Sequence, residues 1–579
     1  MSGTFRRIWG GTLALAERPW RVDGVGLLVA VGLVGLWLGL VSFAREWVAA
    51  PGSALAIDLS ARALPMYTFF SLVRGLLAYG LSLGFTLVVG YWAAKDARAE
   101  RVLIPLLDVL QSIPVLGFMP GLVLGLAALF PSSRVGLELA AILMIFTGQV
   151  WNMTFSFYHS LRSVPRDLVE VAELYRLSGW QRLRWLELPF AAMGLVWNSM
   201  MSMAGGWFFL MVSEAFVLGG RDFRLPGLGS YMSVAVARGD VRAMTLAVLA
   251  MVLMIVALDQ LLWRPVVVWA QKFRVEETGS AVAARSWFLE WLRRGALIRR
   301  LRRWVRRGIR QAFHPGPPGR SARTRTSSGR WVRGLATVAL WGLVVGLGYG
   351  GWALGRLLRS ASPAAWKATL AAAGWTLGRV LLATAIGTAW TVPAGLWIGL
   401  SPRRSRILQP VVQVIASFPA PMLFPAVVWG LTALRVPLGW GSVVLQLLGT
   451  QWYILFNVIA GAMSVPADLR EAADVYRVRG WRRFGALYGP GVFPYLVTGW
   501  VTAAGGAWNA SIVAEYVVFR GQTLTTRGLG ALISQAAERG DFPSLTAGIV
   551  VMAAVVVAFN RLVWRRLYRV AEERFSLSK

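Results

Sequence analysis

Cysteine is absent from the 579-residue sequence, and histidine occurs only twice. Without cysteine the chain has no disulfides, no thiolate catalysis and no cysteine metal site. Neither His159 nor His314 has a partner at the spacing of metal ligands, so we expect no metal or other cofactor. Lysine is scarce too, and none of the four lysines lies in a G-x-x-x-x-G-K-[ST] motif, which excludes ATP binding by a phosphate loop.

Charged residues make up only 15% of the chain, and they are unbalanced, with 60 basic and 27 acidic side chains. A formal net charge of +33 in a soluble protein would favour nucleic acid as the partner. Here 56% of the residues are hydrophobic, and the arginines cluster between long apolar runs. This pattern is typical of an integral membrane protein whose basic loops face the cytoplasm and membrane lipid, and we expect no nucleic-acid partner.

Apolar runs of about 20 residues, the length that crosses roughly 30 Å of hydrocarbon as a helix, recur along the whole sequence. The first run is longer than the apolar part of a signal peptide, so we expect it to be a retained span. The basic loops agree with a cytoplasmic N-terminus, linker and C-terminus. Prolines in the third and ninth runs predict broken helices. The twelve predicted spans lie near residues 22–44, 74–94, 103–130, 136–158, 188–212, 242–266, 333–356, 375–399, 408–434, 438–462, 491–514 and 543–565.

The chain is an internal duplication. The segment SVPRDLVEVAELYRLSGW at residues 163–180 recurs as SVPADLREAADVYRVRGW at residues 464–481, and nine of the sixteen positions from proline to tryptophan are identical. Because each half has an even number of predicted spans, the second half enters the membrane from the same side as the first, and the repeats are parallel. We therefore expect an all-α membrane protein with two six-span repeats at residues 1–270 and 333–579.

Residues 271–332 separate the repeats and are rich in arginine, with a Pro/Gly/Ser stretch near their C-terminal end. The stretch SWFLEWLRRGALIRRLRRWVRRGIRQAF, residues 286–313, places apolar residues among arginines at roughly helical spacing. It predicts an amphipathic helix that lies in the membrane interface, and a disordered basic tether is the alternative. The apolar positions of this helix are Trp287, Leu292, Leu297, Ile298, Leu301, Trp304, Val305 and Ile309.

Each copy of the repeated segment has the features of a short amphipathic helix between two spans. Val-Pro favours an extended residue before a helix start, and an aspartate follows in the first turn, where a carboxylate suits the helix dipole. Gly179 and Gly480 are expected to cap the two helices at their C-terminal ends. The helices mix acids, alanine and tyrosine, whereas a lipid-facing helix has Lys/Arg around a large apolar face, so we expect a protein partner.

The sequences EVAELYRLSG and EAADVYRVRG, each followed by a proline at the next span, resemble the EAA...G signature of permease subunits of bacterial ATP-binding-cassette importers. The first copy departs mildly from the signature, with valine at its second position. The flanking stretches GGAWNASIVAEY and GLG are similar to the nitrate, sulfonate and taurine branch, where a fused, duplicated permease is known. The resemblance implies about twelve spans in two repeats of the type I importer permease fold, in the inner membrane, and import of a small anion.

In that family the repeated segment is the coupling helix, which sits in a groove on the ATPase subunit. The resemblance therefore implies that this chain is not an enzyme and that two separate ATPase subunits hydrolyse ATP. It also implies that a separate binding protein delivers the substrate at the outer face, and that one chain is equivalent to a permease dimer. The residues expected to contact the ATPases are Glu170, Ala172 and Gly179 in the first half and Glu471, Ala472, Ala473 and Gly480 in the second.

Polar residues within the apolar spans are candidates for the substrate path, and hydrogen bonds between helices are the alternative for each. Arg74 and Arg379 each begin a predicted span, where they could attract an anion at the entrance or extend to the interface instead. Glu214 and Glu515 would repel an anion, and we expect them to pair with arginines or to hold an outer gate. The remaining candidates are Gln149, Asn198, Ser202, Gln451, Asn509 and Ser511.

Two other functions stay open on the sequence alone. A secondary anion transporter, driven by an ion gradient, is also commonly built from repeats. It would be expected to carry unpaired carboxylates near span centres, whereas Asp259 lies near a span end and corresponds to Asn560 in the repeat. A basic membrane scaffold or nucleic-acid-binding protein rests only on the net charge.

Overall fold

The structure is a computed structural model that describes residues 24–49, 56–218, 221–273, 286–294 and 325–575. In these ranges the chain is helical apart from loops and two short antiparallel hairpins. The predicted linker helix is present from Trp287 to Arg294, and its positions from Leu297 to Ile309 lie outside the described residues.

The first half contains helices for all six of its predicted spans. Three of them include a π-helical turn, at Thr86–Gly90, Leu183–Glu187 and Asp259–Trp263. The other elements are Gly24–Val48, Leu64–Phe85, Tyr91–Lys95, Ala97–Ser112, Val115–Phe118 (3-10), Met119–Leu129, Val135–Arg162, Arg166–Leu174, Gly179–Arg182, Leu188–Ser213, strands Ala215–Leu218 and Arg221–Arg224, Leu228–Arg238, Val241–Leu258, Arg264–Ala270 and Gln271–Phe273 (3-10).

The second half repeats this order. Its π-helical turns at Phe484–Tyr488 and Asn560–Trp564 match the last two of the first half, whereas the helix Pro363–Gly399 is α-helical throughout. The other elements are Arg325–Arg359, Pro402–Ala416, Ala420–Met422 (3-10), Phe424–Ala433, Leu438–Ser464, Ala467–Val475, Gly480–Arg483, Gly489–Ala514, strands Tyr516–Phe519 and Gln522–Thr525, Leu529–Arg539, Phe542–Phe559 and Arg565–Arg574.

Among the described residues, nine helices are long and apolar enough to cross a membrane. The pair Ala97–Gln111 and Val115–Leu129 makes a tenth when it is counted as one span, and it bends by 88° where the sequence predicts a broken helix. The two remaining predicted spans correspond to the helices Pro402–Ala416 with Phe424–Ala433, and to Gly489–Ala514. All twelve predicted spans therefore have a helical counterpart.

The predicted starts of the second and eighth spans are wrong by about three helical turns. The helices begin at Leu64 and Pro363, ten and twelve residues before the predicted boundaries at residues 74 and 375. The error at the second span has a physical cause, because Arg74, an arginine in an apolar window, reads as the end of the span. Arg74 and Arg379 instead lie inside these helices, where buried acceptors satisfy their guanidinium groups.

Both halves carry a short hairpin after their fifth span. In the first hairpin Ala215 lies opposite Arg224, and in the second hairpin Tyr516 lies opposite Thr525. The first strand of each hairpin contacts the short helix that follows the hairpin of the other half. Side chains of both halves, including Leu228 and Leu529, also share one hydrophobic core. The two halves are therefore packed against each other at this end of the helices, called the hairpin end below.

Candidate functional site

The two repeated segments form matching nine-residue helices, Arg166–Leu174 and Ala467–Val475, called the first and second loop helix below. Each follows an extended proline and has an aspartate in its first turn, as the sequence predicts. Both connect the fourth and fifth spans of their half. Since six spans separate them, the two loop helices lie at the same end of the bundle, opposite the hairpin end.

Both loop helices end differently from the prediction. The residues with left-handed backbone after each helix are Arg176 and Arg477, each with φ 51°. The amide of the following residue, Leu177 or Val478, bonds back to a carbonyl in the helix, at 3.0 and 2.8 Å. This is a Schellman-type end with arginine in place of the usual glycine. The expected caps, Gly179 and Gly480, instead begin the next short helix in each half.

The loop helices expose apolar and acidic side chains together. Tyr175 is 75% exposed and Tyr476 is 81% exposed, while Glu170 and Glu471 are also exposed. Further large apolar side chains at this surface are Val171, Leu174, Trp180, Leu469, Val475 and Trp481. Of the predicted coupling residues, Ala172 is buried, Ala473 is half-buried, and Ala472, Gly179 and Gly480 are exposed. A clustered apolar surface with a polar rim is typical of a protein-binding surface.

A buried carboxylate ties the first loop helix to the bundle. Glu187 accepts bonds from Lys95 Nζ at 2.5 Å and from Arg182 Nε at 2.9 Å. Arg182 also lies 3.7 Å from Glu173 in the first loop helix. Charges that lose water on burial need such partners. Glu187 is not among the residues predicted from the sequence, although a glutamate at the start of an apolar span is a signal for such an anchor.

The second half uses a different connection at the same place. Arg483 pairs with Asp474 of the second loop helix at 2.5 Å, and it also donates to the carbonyl of Arg470 at 3.1 Å. Its guanidinium lies 5.3 Å from the centre of the Tyr488 ring. Tyr488 occupies the position that corresponds to Glu187 in the first half. A cation–π contact therefore stands where the first half has a buried ion pair.

A cavity of about 480 Å³ lies between the two halves. Its walls come from the middle turns of the fourth and fifth span of each half, together with the breaks in the third and ninth spans. Trp151, Trp197 and Trp452 are among its aromatic lining residues, and Gln111, Gln413 and Asn457 are among its amides.

Of the ten candidate path residues, only Asn509 lines this cavity. Its Oδ1 also accepts a bond from the backbone amide of Val115 in the other half, at 2.7 Å. The other five amide and hydroxyl candidates bond within or between helices, or are buried against them. They are Gln149 (to Met203), Asn198 (to Ser156), Ser202 (buried), Gln451 (to Trp390) and Ser511 (to Trp508).

Arg74, Glu138 and Glu214 form a fully buried cluster in the first half. Arg74 donates from Nε and Nη2 to the Glu138 carboxylate, each at 2.7 Å, and from Nη1 to Glu214. Glu214 further accepts from Ser71 Oγ at 2.7 Å and from the amide of Gly229 at 2.6 Å. The fork of the guanidinium thus joins three spans and the short helix after the hairpin. Neither Arg74 nor Glu214 faces the cavity.

Arg379 and Glu515 form the corresponding cluster in the second half, with fewer charges. Arg379 Nη1 donates to Glu515 at 2.9 Å, while Nε donates to the carbonyl of Gly439 at 3.2 Å. Its Nη2 donates to Thr526 at 3.0 Å, and Glu515 accepts from Thr376 at 2.9 Å. Neutral acceptors therefore replace the second carboxylate of the first half. Neither charged residue lines the cavity.

The repeated GLG triplets are explained by these clusters. A Cβ atom at Gly227 or Gly528 would overlap the carboxylate of Glu214 or Glu515. A Cβ at Gly229 would lie 2.6 Å from a backbone oxygen of the fifth span. Only glycine lets the chain pass this close to a buried carboxylate. The sequence shows the repeat but not the steric reason for it.

The family described as "Binding-protein-dependent transport system inner membrane component" matches residues 86–262 and 391–577. The chain is 27% identical over 190 residues to the taurine transport system permease protein TauC of Escherichia coli strain K12, covering 31% of this chain and 62% of the relative. It is 26% identical over 256 residues to the glycine betaine/proline betaine transport system permease protein ProW of the same strain, covering 43% and 60%.

The chain is 25% identical over 193 residues to the bicarbonate transport system permease protein CmpB of Synechocystis sp., covering 33% of this chain and 64% of the relative. The chain thus spans about three fifths of the length of the curated relatives it matches. Both matched segments contain a loop helix, a hairpin and the spans between them. The chain therefore belongs to the family of inner membrane components of binding-protein-dependent transport systems, as an all-α, multi-pass, duplicated membrane protein with the type I ABC importer permease fold.

Proposed function

We propose that this chain is the permease of an importer powered by two ATPase subunits, each docked on one loop helix. The observation that carries the proposal is the pair of matching loop helices at one end of the bundle, each exposing aromatic and acidic side chains. One polypeptide supplies both surfaces, so one copy would serve a pair of ATPases. The predicted coupling residues Glu170 and Glu471 lie on these exposed helices.

The arrangement of the halves supports alternating access. At the hairpin end each hairpin packs against the short helix of the other half, and the cavity lies in the middle of the bundle. A solute in the cavity would therefore be shut off from the hairpin end in this conformation. Drawing the loop helices together as the ATPases close would rock the halves and part the hairpins, because both loop helices are tied to spans by Arg182 and Arg483.

The hairpin end is then the outer face, where a binding protein would deliver the substrate. This orientation places the N-terminus, the basic linker and the C-terminus in the cytoplasm, with repeats at residues 1–270 and 333–579 around the linker 271–332. The relatives are described as taurine, betaine and bicarbonate permeases. We assign this importer a small anion or zwitterion of that size range as substrate.

A transporter driven by an ion gradient is the weaker candidate. Such a mechanism needs a carboxylate that exchanges ions within the path. The described carboxylates that are buried at the span ends, Glu138, Glu187, Glu214 and Glu515, are paired with arginine or lysine outside the cavity.

Charge reversal on the loop helices tests the proposal. Glu471→Lys should release one ATPase or abolish coupled uptake, since losing one partner of a charged pair at an interface costs about 2–5 kcal/mol. Glu170→Lys should act likewise. Glu573→Lys, the same charge change on an exposed residue of the C-terminal helix, is the matched control. ATPase co-purification and uptake are measured at equal membrane expression, and normal values for both loop-helix variants would overturn the proposal.

A further inference from the structure

The wall of the cavity between the halves carries no formal charge. Thirty described residues line it, and none of them is an aspartate, glutamate, lysine, arginine or histidine. Eight are aromatic, and five are asparagine or glutamine. The chain has 60 basic residues, yet none of them is among the described residues that line the cavity. The buried charges of Arg74 and Arg379 are paired with their own carboxylate partners. Asp259, which lines a small adjoining pocket, lies 3.5 Å from Arg264.

An uncharged wall discriminates between solutes by their net charge. A simple anion that gives up part of its water here meets no counter-charge, and desolvating an unpaired ion costs several kcal/mol even after relaxation. The cavity of about 480 Å³ has room for roughly 16 water molecules at about 30 Å³ each, so a large solute would displace most of them. A solute without net charge avoids much of this cost.

The lining also provides groups that suit both ends of a zwitterion. The faces of Trp151, Trp197 and Trp452 can hold an ammonium group or an apolar body by cation–π and dispersion contact. The side-chain amides of Gln413 and Asn457 can donate to a sulfonate, carboxylate or hydroxyl oxygen. A compact inorganic anion could use only the side-chain amide donors.

We propose that the cavity admits compact organic solutes of zero net charge, neutral or zwitterionic, and disfavours simple inorganic anions. As a statement about the substrate, this rests on the proposed function and narrows its substrate class. As a statement about the cavity, it concerns charge preference alone and is testable on the purified chain without ATPases or a binding protein.

The absence of cysteine makes the test direct, because an introduced thiol is the only one in the chain. Met201→Cys and Ala460→Cys each place a thiol on the cavity wall, on opposite halves, and neither position lines the adjoining pocket that contains Asp259. Each purified variant is treated with 2-hydroxyethyl methanethiosulfonate, which is neutral, and with the 2-sulfonatoethyl reagent, an anion of similar size. The rate of each reagent is divided by its rate with 2-mercaptoethanol, which removes differences in intrinsic reactivity.

We expect the normalised rate of the neutral reagent to exceed that of the anion by about tenfold or more, the ratio that corresponds to about 1.4 kcal/mol. Ratios of about three or less at both sites would overturn the proposal, as would no reaction of either site with the neutral reagent. Adding Gln413→Arg to Met201→Cys should raise the rate of the anion several-fold, whereas Gln413→Met should not. An importer that fails in uptake assays but shows the expected ratio would contradict the proposed function and leave the charge preference standing.

Discussion

The two halves solve the same packing problem at the hairpin end with different chemistry. Arg74 is held by two carboxylates, Glu138 and Glu214, whereas Arg379 is held by one, Glu515, together with neutral oxygens. In both halves the guanidinium joins the second, fourth and fifth spans of its repeat, because five N–H donors in a rigid fork can reach several acceptors. Both halves therefore keep the guanidinium and its bridging geometry, whereas the charge of its acceptors differs between them.

The same contrast occurs near the loop helices. Glu187 anchors Lys95 and Arg182 in the first half, whereas Tyr488 receives Arg483 over its ring in the second. The arginine that contacts the loop helix is present in both halves. A displacement of either loop helix would therefore be transmitted to the fifth span through an arginine. In the first half this arginine bonds to the charged Glu187, whereas in the second half it lies over the neutral ring of Tyr488.

Removal of the buried arginines should have the largest effect on stability, and the loss should differ between the two halves. Arg74→Met leaves two buried carboxylates without a counter-charge, and breaking a buried pair in this way costs about 3–5 kcal/mol. Arg379→Met leaves only Glu515, which keeps its bonds from Thr376 and Gly530, so its loss should be smaller. The apparent melting temperature of the detergent-solubilised chain measures both.

Glu138→Gln in the Arg74→Met background serves as the control for this comparison. It removes one of the two stranded carboxylates, so it should recover part of the lost melting temperature. Equal losses for Arg74→Met and Arg379→Met, with no recovery from Glu138→Gln, would show that the number of carboxylates does not matter.

The contacts near the loop helices should give an intermediate effect. Glu187→Gln keeps the size of the side chain but removes the charge that holds Lys95 and Arg182, at a cost of about 1.5–3 kcal/mol for hydrogen bonds to charged groups. Tyr488→Phe keeps the ring beneath Arg483 and should cost less than about 1 kcal/mol. The effects of the two substitutions are measured by the melting temperature of the chain and by the ATPase activity of the reconstituted complex. A larger loss for Tyr488→Phe than for Glu187→Gln would reverse the account of this site.

The smallest expected difference concerns the two glycines of the repeated segments. Gly480 has φ 57°, in the left-handed region, whereas Gly179 is absent from the residues with positive φ in the described chain. A Cβ atom at either position would have no atom of a more distant residue within 4 Å. Gly480→Ala should therefore cost about 1 kcal/mol through backbone strain, and Gly179→Ala should be nearly neutral. Hydrogen exchange of the second loop helix checks this, and equal exchange in the two variants would exclude strain at Gly480.

Much of the architecture could be predicted from the sequence because its signals are local. Apolar runs gave the twelve spans, and the repeated segments gave the parallel halves and the two loop helices. The bend of the third span follows from its prolines, as expected. These features depend on composition and spacing within about twenty residues, which a single sequence displays directly.

Most of the failures concern contacts between distant residues, and one concerns the local backbone at a helix end. Arg74 reads as a span end because its partners, Glu138 and Glu214, are 64 and 140 positions away in sequence. Arg176 takes a left-handed backbone that residue type alone assigns to glycine. The polar path candidates mostly bond to neighbouring helices, since buried polar groups need partners first. Which side chains line the cavity depends on the rotation of each helix, which periodicity in uniformly apolar spans does not reveal.

The central claim is that one chain presents both docking surfaces for a pair of ATPases. Native mass measurement of the complex, purified in mild detergent with its ATPase, tests this most directly. The account predicts one copy of this chain with two ATPase subunits. A complex that holds two copies of this chain for each pair of ATPases would contradict it, because one loop helix of each copy would then have no ATPase to dock.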